Sequence, residues 1–176
     1  MDIFEFALKM EADGKAYYEK QAALIDNPEL KNILLNLAEE EKHHIEIFKR
    51  LRDNPDDVSG GELLSGEKTL KNVRNIFEQM AQANDNKPFG DDSITVWKTA
   101  LQNEIKAEAF YREKAALEND PKRKALLERI ADEEENHKQM IDGVIMFLKQ
   151  PQAFAESAQY KDFQSVEGRR MDQDLT

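Results

Sequence analysis

An internal repeat constrains the fold of this chain more than any other feature. When the sequence is shifted by 93 residues, it overlays itself without a gap and gives 15 identities over positions 7–51. About two or three would be expected by chance at ordinary amino-acid frequencies. Shared helix-forming composition does not explain a fixed register that also pairs Pro28 with Pro121 and His44 with His137. The chain is therefore two copies of one structural unit.

Each copy has the sequence pattern of a helical hairpin. Apolar residues recur every three or four positions, which is typical of amphipathic helices. A proline stands where the second helix of each copy should begin, and proline suits the first helical position. Helices of about 25 residues would each be about 40 Å long. We predict four such helices, over about residues 3–25, 28–52, 93–118 and 121–148.

A long connection joins the two hairpins. It covers about residues 53–92 and contains an amphipathic stretch near 70–80 that predicts a short helix. Two hairpins with one long crossover match the topology of ferritin-like bundles. We therefore predict an all-α fold, a ferritin-like four-helix bundle, over residues 1–150. The tail, residues 151–176, is expected to dock on the bundle through its aromatic residues and to fray at its end.

Composition narrows the range of partners. The net charge is −11, and an acidic surface repels phosphate backbones, so no nucleic-acid partner is expected. No apolar run is long enough to predict a membrane span. The chain has no cysteine, which excludes disulfides and thiolate metal sites within it. Because the first residues lack the pattern of a secretion signal, we expect a cytoplasmic protein.

Four glutamates and two histidines lie on the inward-facing stripes of the predicted helices. The first and third helices each carry one glutamate, and the second and fourth each carry a Glu-x-x-His pair. Residues three apart share one helix face, so the members of each pair point the same way. The six candidate metal ligands are Glu11, Glu41, His44, Glu104, Glu134 and His137.

A cluster of carboxylates in a core needs compensating charge. Left unpaired, each would carry a large desolvation cost or take up a proton. A buried ion-pair network is one alternative, and a lone Glu-x-x-His would be weak support for metal. Two such motifs related by the repeat match the ligand pattern of di-iron carboxylate bundles. We predict two iron ions, with manganese, zinc or a mixed pair as alternatives, and Glu41 and Glu134 as bridges.

The sequence does not assign a single role to the residues beside the candidate ligands. Glu40 and His43 also form a Glu-x-x-His pair, but the repeat places Asn136 opposite His43. His43 is therefore predicted to be a surface histidine. Glu40 and Glu133 recur in both copies, and they either support the ligands or lie on a solvated face.

Two tyrosines recur two turns after the single glutamates. Tyr18 follows Glu11 by seven residues, and Tyr111 follows Glu104 by seven, so both rings should point inward beside the ligands. A buried phenol needs a hydrogen-bond partner, and a ligand carboxylate would supply one. The alternative is that these rings only fill the core.

Residues 3–148 resemble the rubrerythrin family of the ferritin-like superfamily in these motifs. The resemblance implies a carboxylate-bridged di-iron centre that reacts with hydrogen peroxide or dioxygen, a role in oxidative stress, and a homodimer. Full-length rubrerythrins also carry a cysteine-ligated rubredoxin iron site that supplies electrons. This chain has no cysteine, so an external electron donor is expected.

The chain departs from the family pattern at one position. Rubrerythrins tend to place an extra carboxylate on the third helix, one turn after its ligand glutamate. Here that position is Ala107, its repeat equivalent is Gly14, and Glu108 should point away. These small residues either permit close helix packing or leave room beside the metals for an oxidant. We expect a non-haem di-iron oxidoreductase, with ferroxidase-type iron binding, handling or storage as the alternative.

Overall fold

The computed structural model describes residues 3–59 and 91–150, and it shows four helices. They are α1 (Ile3–Leu24), α2 (Pro28–Asp53), α3 (Asp91–Leu117) and α4 (Pro121–Lys149). Neither described segment contains a strand. The all-α prediction is confirmed, and every predicted helix end lies within two residues of the observed one. The short helix expected near 70–80 and the docking of residues 151–176 lie outside the described residues.

The second helix of each hairpin begins in the same way. The Asn27 side chain accepts a hydrogen bond from the Leu30 backbone N–H at 2.8 Å. At the repeat-equivalent position, the Asp120 side chain accepts from the Lys122 and Arg123 N–H groups at 3.0 and 2.9 Å. A proline follows each cap and needs no hydrogen-bond acceptor for its own nitrogen. Local sequence therefore fixes where α2 and α4 start.

Each hairpin packs along its length, and α1 then meets α3 across the bundle. At one end of this pair, the Phe6 and Phe110 ring centroids are 4.8 Å apart. At the other end, the Tyr17 hydroxyl donates to the Val96 carbonyl at 2.7 Å. Because residue numbers rise along one helix as they fall along the other, α1 and α3 are antiparallel.

Two apolar clusters lie on either side of a polar middle layer. One joins the end of α1 and the start of α2 to the start of α3 and the end of α4, and includes Leu34 and Ile141. The other is its counterpart under the repeat and includes Phe48 and Leu127. Burying one such side chain contributes roughly 1.5–3 kcal/mol. The clusters stabilise the bundle and shield the middle layer from water along the bundle axis.

No helix in the described segments combines the length and the apolar character needed to cross a lipid bilayer.

Candidate metal centre

The six predicted ligands meet in the polar middle layer, and none is more than 4% exposed. Their oxygen and nitrogen atoms form two groups, within each of which the atoms lie within 4.8 Å of one another. Glu41 and Glu134 belong to both groups. Glu11 and His44 complete one group, and Glu104 and His137 complete the other.

His44 is held in a defined orientation. Its Nε2 lies 3.2 Å from a Glu133 carboxylate oxygen. Its Nδ1 faces the cluster, 3.0 Å from Glu134 Oε1 and 3.4 Å from Glu11 Oε2. If Nε2–H donates to Glu133, Nδ1 keeps its lone pair directed at the centre. This is the arrangement by which a supporting carboxylate orients a metal-binding imidazole.

His137 occupies the equivalent place in the other half. Its Nδ1 lies 3.4 Å from Glu104 Oε2 and 3.5 Å from Glu134 Oε2. The two histidine rings are 6.1 Å apart and inclined by 30°. Within the described segments, the buried His137 Nε2 has no hydrogen-bond partner. The two imidazoles therefore face the cluster alike but differ in the support behind them.

Two buried tyrosines hold the single glutamates. The Tyr18 hydroxyl donates to Glu104, and the Tyr111 hydroxyl donates to Glu11. Each phenol thus contacts a site carboxylate, and that carboxylate comes from the opposite copy of the repeat. The two tyrosines link the halves at the centre.

The glutamates beside the Glu-x-x-His motifs are buried, so the solvated-face alternative was wrong. Glu40 is 5% and Glu133 is 6% exposed. A helix in a bundle contacts two neighbours, so its buried arc is wider than the apolar stripe that the sequence shows. His43 is partly exposed, 3.8 Å from Glu39, and outside both groups. Glu108 points to the surface, where Lys138 donates to it at 2.6 Å.

Burial and mutual repulsion change the protonation of the carboxylates. Burial, together with the negative charges of Glu11 and Glu134, raises the pKa of Glu41 well above its ordinary range. Burial and the charge of Glu134 likewise raise the pKa of Glu104. Desolvation disfavours the ionised form, and neighbouring anions add to that effect. Without metal, these two carboxyls therefore hold protons at pH values where exposed ones would not.

Glu134 and the histidines respond in the opposite sense. Burial opposes ionisation of Glu134, but the charge of His44 and the nearby His137 imidazole lower its pKa. Burial also opposes the charged imidazolium, yet the carboxylates raise the pKa of His44 and His137 well above 6.5. In the metal-free centre, protons supply the positive charge that balances the carboxylates.

The unsatisfied atoms at the centre fit a pair of cations. Buried polar atoms in native proteins normally have a partner. Within residues 3–59 and 93–150, a set of ligand-type atoms here makes no hydrogen bond. The set comprises Glu104 Oε2, both Glu134 carboxylate oxygens, and the Nδ1 atoms of His44 and His137. Mixed carboxylate and imidazole donors suit iron, manganese and zinc.

Comparison with known proteins gives two findings. The rubrerythrin family matches residues 2–145. A curated relative from Pyrococcus furiosus, described as a ferritin-like-encapsulin shell fusion protein, is 34% identical over 87 residues. That match covers 49% of this chain and 24% of the relative, so the chain spans about a quarter of the relative's length. No solved structure matches the chain.

Proposed function

Because this chain belongs to the rubrerythrin family, we propose that it binds two iron ions and uses them to reduce hydrogen peroxide or dioxygen. The observation that carries the proposal is the overlap of the two ligand groups at Glu41 and Glu134. Glu41 and Glu134 would each be shared by two adjacent metal positions, so a bound pair of ions would be held together by carboxylates. On this proposal, Glu11 and His44 complete one position, and Glu104 and His137 complete the other.

Charge balance supports two divalent ions. Four carboxylates carry four negative charges, which two divalent ions neutralise, while the imidazoles bind in their neutral form. Metal would displace the protons that the metal-free centre holds, so binding should release protons and strengthen as pH rises. With a single divalent ion, protons would have to balance the other half of the carboxylate charge in the buried layer.

A bound ferrous pair supplies the two electrons that, with two protons, convert one hydrogen peroxide into two water molecules. The protein's own residues provide geometry and protection. Tyr18 and Tyr111 hold the two single glutamates in place by hydrogen bonds. Glu133 accepts from the His44 ring and fixes its orientation. The apolar clusters on both sides shield the centre from water along the bundle axis.

Three further parts of the proposal concern the surroundings of the centre. The sequence has no cysteine, so a redox group outside this sequence would return the iron to the ferrous state. We also propose a homodimer in the cytoplasm. Light scattering on the purified protein and fractionation of the source cells test these two statements.

The deciding experiment begins with metal analysis of the native protein. The protein is then loaded anaerobically with ferrous iron and mixed with hydrogen peroxide in a stopped-flow spectrometer. We expect two iron ions per chain and oxidation of the pair by about one peroxide molecule, as the electron balance requires. A protein that binds two ferrous ions but does not react with peroxide or dioxygen would overturn the enzymatic proposal. Native manganese or zinc would overturn the choice of iron.

Iron handling or storage is a second candidate. It is favoured by the similarity to a relative whose description includes the words ferritin-like. Aerobic loading with a large excess of ferrous iron separates the two functions. A storage protein retains many iron atoms per chain, whereas a peroxidase retains its pair and turns over when reductant and peroxide are supplied.

A further inference from the structure

A cavity of about 680 Å³ lies between α1 and α3, beside the metal centre. The Phe6–Phe110 ring contact joins the two helices at one end, and Tyr17 joins α1 to α3 at the other. Between these two contacts, both helices present small residues, Gly14 and Ala107, to the cavity. The two helices therefore contact each other at both ends of this stretch and leave a gap between the contacts.

The floor of the cavity is the metal centre itself. Glu11, Glu41 and Glu104 are among its lining residues. A Cβ placed on Gly14 would lie 3.5 Å from Glu41 Cδ. The missing side chain at Gly14 therefore opens the Glu41 carboxylate to the cavity. A molecule that fills the cavity would therefore have one end at the proposed metal pair.

The walls are mostly apolar. They are formed by the aromatic rings of Phe6 and Phe110, by Met10 and by Ala107. Sites for organic small molecules have volumes of about 300–1,000 Å³ and apolar walls with a few polar groups. Hydrogen peroxide needs far less space, since a water molecule occupies only about 30 Å³. The volume and the lining therefore suit an organic molecule with a reactive end.

Entry of iron explains this cavity less well. A path for a hydrated cation needs oxygen ligands along its walls. The exposed lining residues Asp13 and Glu113 are accompanied by an exposed lysine, Lys106, which repels cations. Apart from these three residues and the glutamates of the floor, the lining contains one carboxamide, Asn103, and is otherwise largely apolar.

We propose that this cavity binds an organic hydroperoxide with an apolar body, and that such hydroperoxides are better oxidants of this centre than hydrogen peroxide. This inference rests on the proposed function, because the two electrons come from the ferrous pair. The O–O bond breaks, two ferrous ions become ferric, and two protons are taken up. The products are the corresponding alcohol and one water molecule, so atoms and electrons balance.

The first test measures binding without redox chemistry. The protein is loaded with zinc, which has no accessible redox change, and titrated with cumyl alcohol, the product expected from cumene hydroperoxide, in a calorimeter. Ala107→Leu adds bulk to the wall and removes no ligand, so we expect affinity to fall by about tenfold or more. Ala116→Leu makes the same change at an exposed position of α3 outside the cavity, and should leave affinity unchanged. If Ala107→Leu does not fold, Met10→Trp is used instead, because it fills the cavity from the α1 side.

The second test compares oxidants on the iron-loaded protein. We expect cumene hydroperoxide to oxidise the ferrous pair faster than hydrogen peroxide does, and Ala107→Leu to slow the organic oxidant more. If the zinc protein does not bind cumyl alcohol, or binds it equally in the cavity variants, the inference is overturned even if hydrogen peroxide still oxidises the iron. If neither peroxide oxidises bound ferrous iron, the proposed function itself fails, and the hydroperoxide reaction fails with it.

Discussion

Each half of the bundle places two glutamates and one histidine at the centre, but the two halves differ beside it. The first half has Gly14 where the second has Ala107, and Tyr17 where the second has Phe110. Glu41 of the first half is 4% exposed and lines the cavity, whereas its counterpart Glu134 is 0% exposed and is not among the lining residues. On the proposed function, the six ligands would have to meet the geometry of two metals at once, which favours a symmetric set. The four flanking residues line the cavity but are not among the proposed ligands, so they can differ between the halves.

The charge distribution is also unsymmetric. His44 Nδ1 lies 3.0 Å from Glu134 but 3.8 Å from its own helix neighbour Glu41. Burial works against ionisation in both carboxyls, but the nearby imidazoles lower the pKa of Glu134, whereas repulsion raises that of Glu41. Equivalent residues therefore have unequal protonation when metal is absent. Four experiments test the sharing of ligands, the protonation of the metal-free centre, and the differences between the two halves.

Removal of a shared carboxylate should have the largest effect. Glu134 belongs to both ligand groups, whereas Glu11 belongs to one. We expect Glu134→Ala to lose both metals and Glu11→Ala to retain one, as measured by elemental analysis after dialysis. Glu128→Ala, at an exposed position of α4, is the matched control. If Glu134→Ala kept one tightly bound ion, the sharing inferred from the geometry would be wrong.

Metal-free protein should lose stability as pH rises. The pKa values of Glu41 and Glu104 are raised above 4.5 by burial and by neighbouring carboxylates. When the pKa of a group is higher in the folded state than in the unfolded state, protonation of that group favours folding. Its contribution to stability is fully present below the unfolded-state pKa and is lost as pH rises through the folded-state pKa. Despite burial, the raised pKa values of His44 and His137 act in the same direction above pH 6.5. Glu134, with its lowered pKa, loses its contribution only in acid.

Thermal melts across the mildly acidic to alkaline range measure this effect, with and without a chelator. Each tenfold change in the proton affinity of one group contributes about 1.4 kcal/mol. As pH rises, we expect the melting temperature of the chelated protein to fall. The difference between its melting temperature and that of the metal-loaded protein should therefore widen. Equal stability of the two forms at neutral pH would contradict a shared carboxylate layer.

Loss of the carboxylate behind His44 should have a smaller effect. Glu133→Ala removes the acceptor of His44 Nε2, and loss of such a partner typically weakens metal binding by about 10- to 100-fold. Glu40→Ala is the repeat-equivalent change, and the described residues provide no hydrogen bond to His137 Nε2. We therefore expect Glu40→Ala to weaken binding less, as measured by competition with a chromophoric chelator. Equal losses would show that both halves rely on the same support.

Changing Tyr17 to match its repeat equivalent, Phe110, should have the smallest effect. Tyr17→Phe removes the 2.7 Å hydrogen bond to Val96 and gives α1 the same residue as Phe110. Loss of one such bond costs about 1 kcal/mol, which would lower the melting temperature by about 2–4 °C. Phe110→Tyr is the control, because it makes the reverse change, the addition of a hydroxyl, at the equivalent position in α3. An unchanged melting temperature in Tyr17→Phe would show that this bond does not hold α1 to α3.

Sequence alone determined the fold class, the helix ends and the six residues that meet at the centre. The signals were local or periodic. Pro28 and Pro121 mark helix starts, and the three-residue spacing of Glu41 and His44 places both on one helix face, whatever the packing around them. The repeat added the choice of His44 over His43. These features depend on distances along one chain segment, which the helix geometry fixes.

Only the tertiary structure decided the relations between helices. The sequence predicted a carboxylate partner for Tyr18 but not that the partner would be Glu104 of the other copy. It left the role of Glu133 open, and it left open whether Gly14 and Ala107 permit close helix packing or leave space beside the centre. These contacts depend on the separation and rotation of helices relative to one another, which the packing of many side chains sets together. A helical period shows which residues face inward, and only the packed bundle shows what each of them meets there.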